Sequence, residues 1–271
     1  MIRRPAFLAL AVAAMLTCNV GQVATLTPTA PSLIPTALPT ATLPPTRAPQ
    51  SLPPAWWDPK LELPRSAEFI GDARRAAWST RDTNVDGIKD FMLRQASNAD
   101  YQPFVITQSK GAIYDLLFVK GQNAYALNIT LGSDTTVLTA SRVGVMHLKV
   151  LGVANVELDL PMRTRLDITP GSEVSIGTAI PNPQCASCEY FINVHIAPFK
   201  GIGVYDSKPG ISIIDVQVIP GGDPDKDDYR WAQSCVVTVK DASSGSFNCL
   251  GLQNVNDGNK RIDVSGFWTQ P

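Results

Sequence analysis

The sequence has few of the residues on which catalysis and cofactor binding usually depend. It contains two histidines, His147 and His195, each on the polar side of a predicted strand. It has no Gly-x-Ser-x-Gly elbow, no His-Glu-x-x-His pair and no glycine-rich phosphate loop. These absences remove the usual signatures of α/β-type serine hydrolases, zinc metalloproteases and P-loop proteins, and we interpret both histidines as solvated surface residues.

The chain also lacks an excess of charge of either sign. Its 23 basic and 24 acidic residues give a formal net charge of −1, and no run of basic residues occurs. Nucleic acids and anionic lipid surfaces attract proteins through clustered Lys and Arg. We therefore expect no nucleic-acid partner.

The apolar run near the start is too short to cross a bilayer as a helix. Residues Ala6–Leu16 are uncharged and follow two arginines, which is typical of a signal peptide covering residues 1–18. The end of this segment, Met15-Leu16-Thr17-Cys18, resembles the lipobox of bacterial lipoproteins. The resemblance implies a lipid, palmitate among its chains, that anchors Cys18 to the outer face of the cell membrane. Secretion without a lipid is the alternative.

Residues 19–54 predict a disordered stalk. From Thr25 to Pro54 the chain is mostly Thr, Pro, Ala and Leu, with no charge before Arg47. Proline lacks an amide donor, so this segment cannot form a helix or a strand ladder. In polyproline geometry roughly 30 residues reach about 90 Å, and the threonines could accept sugars.

The remaining sequence predicts a mainly β fold in two parts. Residues 55–143 predict a small α+β domain of β-α-β-β-β order, and residues 144–271 predict an antiparallel β-sandwich because short period-2 runs alternate with Gly, Pro and Asn. The predicted elements of the first part are a strand over Arg75–Thr80, a helix over residues 83–96, and strands over Ile113–Val119, Ala124–Leu131 and Thr135–Val143. We expect the helix to cover one face of this sheet and the other face to be wetter.

Short motifs in both parts resemble modules of exported bacterial proteins. Leu63-Pro64, Phe91 and a hairpin turn at Lys120-Gly121 resemble a small α+β module of bacterial surface lipoproteins. The Gly-x-Gly-x-Tyr corner at residues 201–205 and the closing segment 263–268 resemble a β-sandwich module of other exported lipoproteins. The whole chain thus resembles an exported lipoprotein of the Thr/Pro-stalk type, a resemblance that implies fold and location but no established function.

Apart from Cys18, four cysteines remain, and they allow three pairings. If Cys235 faces Cys249 in a hairpin, the register also pairs Val237 with Phe247 and places all four side chains on one face. We therefore predict a Cys235–Cys249 disulfide, worth roughly 3 kcal/mol for a loop of this length. Elimination leaves Cys185 with Cys188. A redox Cys-x-x-Cys pair and a four-cysteine zinc site remain alternatives.

Two acidic segments raise the question of calcium. Asp82, Asn84, Asp86 and Asp90 resemble the D-x-N-x-D-G-x-x-D loops of EF-hand, dockerin and thrombospondin-type repeats. The same residues suit the start of a helix, with Asp82 as the cap and acids against the helix dipole, and this interpretation is favoured.

A second acidic loop and four tryptophans each have two interpretations as well. The loop contains Asp223, Asp225, Asp227 and Asp228, and a solvated turn is favoured over a calcium site. The tryptophans Trp56, Trp57, Trp231 and Trp268 would suit a platform for sugar stacking, but buried packing is the commoner role of such side chains.

These observations favour a non-catalytic cell-envelope lipoprotein whose head binds a surface polysaccharide or a protein partner, or contributes to envelope structure. One alternative is an extracellular hydrolase with strand-borne carboxylates at Glu157, Asp159 and Asp167, since such catalysis needs two acids about 5–10 Å apart. Another is an adhesion module stabilised by calcium.

Overall fold

The computed structural model describes residues 52–72, 75–106, 114–163, 169–171, 173–207 and 213–271. The predicted signal peptide, Cys18 and nearly all of the predicted stalk lie outside these residues, as does Asp167. Within the described part of the chain, no helix has the length and apolar character needed to span a membrane.

The first part of the described chain is one helix against a six-stranded antiparallel sheet. Its elements are β1 (Glu68–Phe69), β2 (Ala76–Thr80), α1 (Val85–Asn98), β3 (Gln102–Ile106), β4 (Tyr114–Lys120), β5 (Asn123–Leu131) and β6 (Thr136–Arg142). The strands of this first sheet lie in the order β1-β2-β6-β5-β4-β3. The predicted β-α-β-β-β order is not confirmed, because β1 and β3 are additional. Both are short edge strands, and Pro103 weakens the strand signal of β3.

Helix α1 begins where short polar side chains satisfy its free amides. The Asn84 side chain accepts a hydrogen bond from the Gly87 amide at 3.0 Å, so Asn84 is the cap. Asp82 acts one step earlier and accepts from the Asn84 amide at 2.9 Å. The expectation that Asp82 itself caps the helix was therefore wrong by two residues, because a cap must reach the amides of the first turn.

The second part is entirely β. Its strands are β7 (Gly144–Gly152), β8 (Val156–Met162), β9 (Val174–Pro181), β10 (Glu189–Ile196), β11 (Gly203–Ser207), β12 (Ile214–Pro220), β13 (Tyr229–Arg230), β14 (Ser234–Val239), β15 (Ser244–Asn254) and β16 (Arg261–Thr269). They form one antiparallel second sheet in the order β8-β7-β16-β15-β13-β12-β10-β9, with β14 joining β15 to β11.

This second sheet curves almost into a barrel. Its two end strands approach each other, and the Thr178 hydroxyl on β9 donates to the Pro161 carbonyl on β8 at 2.7 Å. The mainly β fold is confirmed. The predicted sandwich is not, because the strands are connected by hydrogen bonds into one continuous sheet.

Both predicted disulfides are present. Cys235 on β14 lies opposite Cys249 on β15, and the same register pairs Val237 with Phe247, as predicted. The Cys185–Cys188 bridge lies in the loop between β9 and β10. A strand, not a helix, follows that bridge, so the helix N-terminus that would lower a thiol pKa in a redox pair is missing there.

Part of the first sheet, at β3, β4 and the start of β5, is buried on both faces, whereas we expected one face to be wetter. On β4, Leu116 and Phe118 pack in the core beneath α1. Leu117 and Val119 point the other way, into a core shared with the second sheet. The two parts therefore share a hydrophobic core.

A charged pair lies within this junction. Asp115 on β4 is only 5% exposed and faces Arg163, which follows β8, with Nη2 2.6 Å from Oδ2. The Asn128 amide also donates to Asp115. Burial of an ion is costly unless it is paired and hydrogen-bonded, and both partners are provided here.

We predict that Arg163→Gln lowers the free energy of unfolding by about 2–3 kcal/mol, less than for a fully buried pair because the guanidinium is partly solvated. Asp115→Asn combined with Arg163→Gln should recover most of that loss, since no carboxylate is then left without its cation. Urea denaturation measures both, with Arg94→Gln on the exposed face of α1 as the control. Equal stabilities of Arg163→Gln and Arg94→Gln would contradict the prediction.

Candidate functional site

The candidate site is the outward face of six neighbouring strands of the second sheet, β8, β7, β16, β15, β14 and β11. Directly paired residues of an antiparallel sheet share a face, so the register defines two rows across it. The first row is Glu157, Lys149, Ser265, Asn248, Val236 and Asp206; the second is Asp159, His147, Phe267, Ser246, Thr238 and Val204. We call these residues the outer face. Five strand spacings make it about 24 Å wide.

His147 forms the centre of the charged end of the outer face. Its Nδ1 lies 2.9 Å from Asp159 Oδ1, and its Nε2 lies 3.6 Å from Glu157 Oε1. Lys149 Nζ lies 3.1 Å from the other Glu157 oxygen. The imidazole also stacks on Phe267, with ring centroids 4.9 Å apart and planes 19° apart. The imidazole of His147 is thus contacted by Asp159, Glu157 and Phe267.

The Phe267 ring is accessible at the middle of the outer face. It is 41% exposed, whereas its neighbour Trp268 points inward and is 1% exposed. Beyond it the outer face becomes less polar, with Val236 and Val204 exposed, and Ile202 is exposed next to them. An aromatic ring bordered by hydroxyls, an amide and carboxylates offers both stacking and hydrogen bonding to a ligand.

Two of the three carboxylates considered for hydrolysis come together here. Glu157 and Asp159 lie two residues apart on one strand and both face His147. Asp167 lies outside the described residues. The two carboxylates lie side by side on an open sheet face and already contact His147 and Lys149, whereas carboxylate catalysis requires two acids that flank the substrate.

The residues of the first predicted calcium loop form the start of α1. Asp82 and Asn84 accept backbone amides, and Asp86 accepts the Tyr114 hydroxyl. Asp90 lies 3.3 Å from Lys89. Across the ranges that the structure describes, no three His, Cys, Asp or Glu side chains converge as metal ligands.

The carboxylates of the second acidic loop likewise have partners in or next to the loop. Asp223 accepts the Asp225 amide at 3.0 Å and lies 3.1 Å from Lys226 Nζ, and these two partners lower its pKa below the ordinary value. Asp227 accepts the Asp223 amide, and Asp228 pairs with Arg230 at 2.7 Å. The carboxylates thus shape a turn.

The tryptophans do not form one platform. Trp57 and Trp268 are buried, and Trp57 packs on Trp78 at 4.8 Å between ring centroids. Trp56 stacks near Tyr125 in the first part, and Trp231 is exposed in the loop after β13. The aromatic residue at the site is Phe267 instead.

Sequence reasoning missed Phe267 and underestimated His147. On the last strand, the polar residues Asp263 and Ser265 alternate with the apolar Val264. The same alternation places Phe267 on the polar side, so the sequence itself contained this signal. The other histidine, His195, has one acidic partner, Glu173 at 2.8 Å. The distinction between the two histidines depends on strand pairing, which periodicity does not give.

Comparison with known proteins gives no relative for this chain. No protein-family model matches it, and neither a curated protein nor a solved structure is similar enough to count as a match. Its function must therefore be argued from its own residues.

We predict that the melting temperature of the protein is the same within about 1 °C in excess calcium and in excess EDTA, since Asp82 and Asp223 already have partners. A ligand at 100 times its Kd stabilises by about 2.7 kcal/mol, or about 5–10 °C for a domain of this size. A shift of that size, read by calorimetry, would contradict the prediction. Asp82→Asn and Asp225→Asn would then identify the responsible loop.

Proposed function

We propose that this protein is a non-catalytic lipoprotein of the cell envelope that binds a surface polysaccharide through its outer face. The N-terminal sequence supports export and a lipid anchor on Cys18 at the outer side of the cell membrane. The Thr/Pro-rich segment after it supports display of the folded part away from that membrane.

The observation that carries the binding function is the exposed Phe267 ring in one of two adjacent rows of mostly polar side chains. A sugar ring has an apolar face of C–H groups and an edge of hydroxyls. The phenyl ring suits the first, while Asn248, Ser246 and Asp159 suit the second. A face about 24 Å wide suits a chain of several sugars better than one small molecule.

The alternatives have less support. A hydrolase would need its acids to flank a substrate, whereas Glu157 and Asp159 pair with His147 and Lys149 on an open face. An adhesion module stabilised by calcium would need carboxylates free to bind the ion, and those of the two acidic loops have other partners. A protein partner would also use an exposed sheet face, and the experiment below distinguishes it.

We expect the full chain to be retained on one polymer of a panel of immobilised cell-wall and environmental polysaccharides. Phe267→Ala should weaken that binding about fivefold, which corresponds to about 1 kcal/mol for a lost stacking contact. Leu131→Ala, which truncates an equally exposed side chain on the first sheet, should bind as wild type does. Silence across the panel, or equal binding by both variants, would overturn the proposal in favour of a protein partner or a structural role.

We predict that labelled palmitate is incorporated into the protein in a bacterial host, and that Cys18→Ala abolishes both the label and membrane fractionation. The double variant Cys185→Ala with Cys188→Ala should keep the label, because those sulfurs are bonded to each other. Label in the Cys18→Ala protein, or none in the wild type, would contradict the lipid anchor.

A further inference from the structure

A small cleft with two arginines lies where the second sheet meets the first. It has a volume of about 210 Å³. Its lining comes from the end of β6 and the start of β7 (Arg142, Val143, Gly144), from the end of β8 and the residue after it (Met162, Arg163), and from the residues after β16 (Gln270, Pro271). It is at the end of the strands that form the outer face, and it includes none of the outer-face residues.

The two guanidinium groups differ in their surroundings. Arg163 is held from behind by the buried Asp115, which contacts only its Nη2, so its other N–H groups remain as donors. Arg142 is exposed and has no ion pair with a carboxylate of the described residues. Among the described residues, the positive charge of Arg163 therefore has a carboxylate partner and that of Arg142 has none.

The wall of the cleft is fixed by close backbone packing. A Cβ atom on Gly144 would lie 2.8 Å from the Thr269 carbonyl oxygen and 3.3 Å from the Met162 Cβ. No side chain fits at this position, so the three strand ends come together without one. The backbone at this wall of the cleft is therefore closely packed.

We infer that this cleft binds an oxyanion, a carboxylate or a phosphate, carried by a small polar molecule. Guanidinium groups present paired N–H donors that match the oxygens of both anions. Arg163, held in place by Asp115, would orient the anion, and Arg142 would supply the positive charge that attracts it. The volume is below the range of about 300–1,000 Å³ typical of drug-sized ligands, so the occupant is of the size of a single sugar acid or sugar phosphate. This inference goes beyond polymer binding, since it uses other residues.

The test is isothermal titration calorimetry of the full chain with glucuronate, glucose 6-phosphate, inorganic phosphate and, as the neutral control, glucose. At least one anion should bind and glucose should not. Arg142→Gln should weaken the bound anion at least about tenfold, the loss expected for a hydrogen bond to a charged group. Arg94→Gln, which removes the same charge from α1, should leave the affinity unchanged.

The identity of the bound anion separates the two sources. Binding of glucuronate alone identifies a carboxylate, and binding of the phosphates alone identifies a phosphate. Phe267→Ala should leave anion affinity unchanged, so failure of the polymer experiment leaves this one intact. The inference is overturned if no anion binds at concentrations up to about 10 mM, since the binding free energy would then be weaker than about 3 kcal/mol. It is also overturned if Arg142→Gln binds the anion as tightly as the wild type does.

Discussion

Burial of strand β4 on both faces is the constraint on which the rest of the described structure depends. Leu116 and Phe118 point toward α1, while Leu117 and Val119 point toward the second sheet. Each apolar side chain removed from water contributes about 1.5–3 kcal/mol, so a strand with apolar side chains on both faces needs a cover on each. The part of the first sheet around β4 is consequently a middle layer between a helix and a second sheet, and the buried carboxylate of Asp115 lies in that layer with its cation.

The outer face results from the opposite situation, a sheet that is covered on one side only. The inner side of the second sheet holds its core, so alternate residues of β7, β8 and β16 project outward. Strand pairing then brings Phe267 next to His147 and Asp159, although Phe267 is far from both along the chain. The stacked ring pair and its carboxylates are thus a product of register, and no local motif contains them.

Period-2 alternation allowed much of the fold to be predicted. It located β5 and predicted that residues 144–271 are entirely β, and the spacing of Cys235 and Cys249 gave the register of β14 on β15. It could not reveal that both faces of the first sheet are covered, because periodicity reports which residues share a face and not what lies against them. The two-residue β1 and the Pro-containing β3 were too weak to detect. The closure of the second sheet depends on a contact between β8 and β9, which periodicity does not report. The Asp82 motif had two interpretations because the residues that suit a calcium loop also suit a helix start, and the favoured interpretation, a helix start, is what the structure has.

The Cys235–Cys249 bridge has a consequence for how this surface can change. A slip of one residue between β14 and β15 would exchange every inward side chain for an outward one, and a covalent bond between two inward positions forbids it. Outward positions such as Thr238 and Ser246 can therefore be substituted without threatening the register that presents them. Residues on the outward side of the sheet can therefore vary while those on the inner side stay the same. Such variation, natural or selected from a library, can give the outward side new ligand preferences.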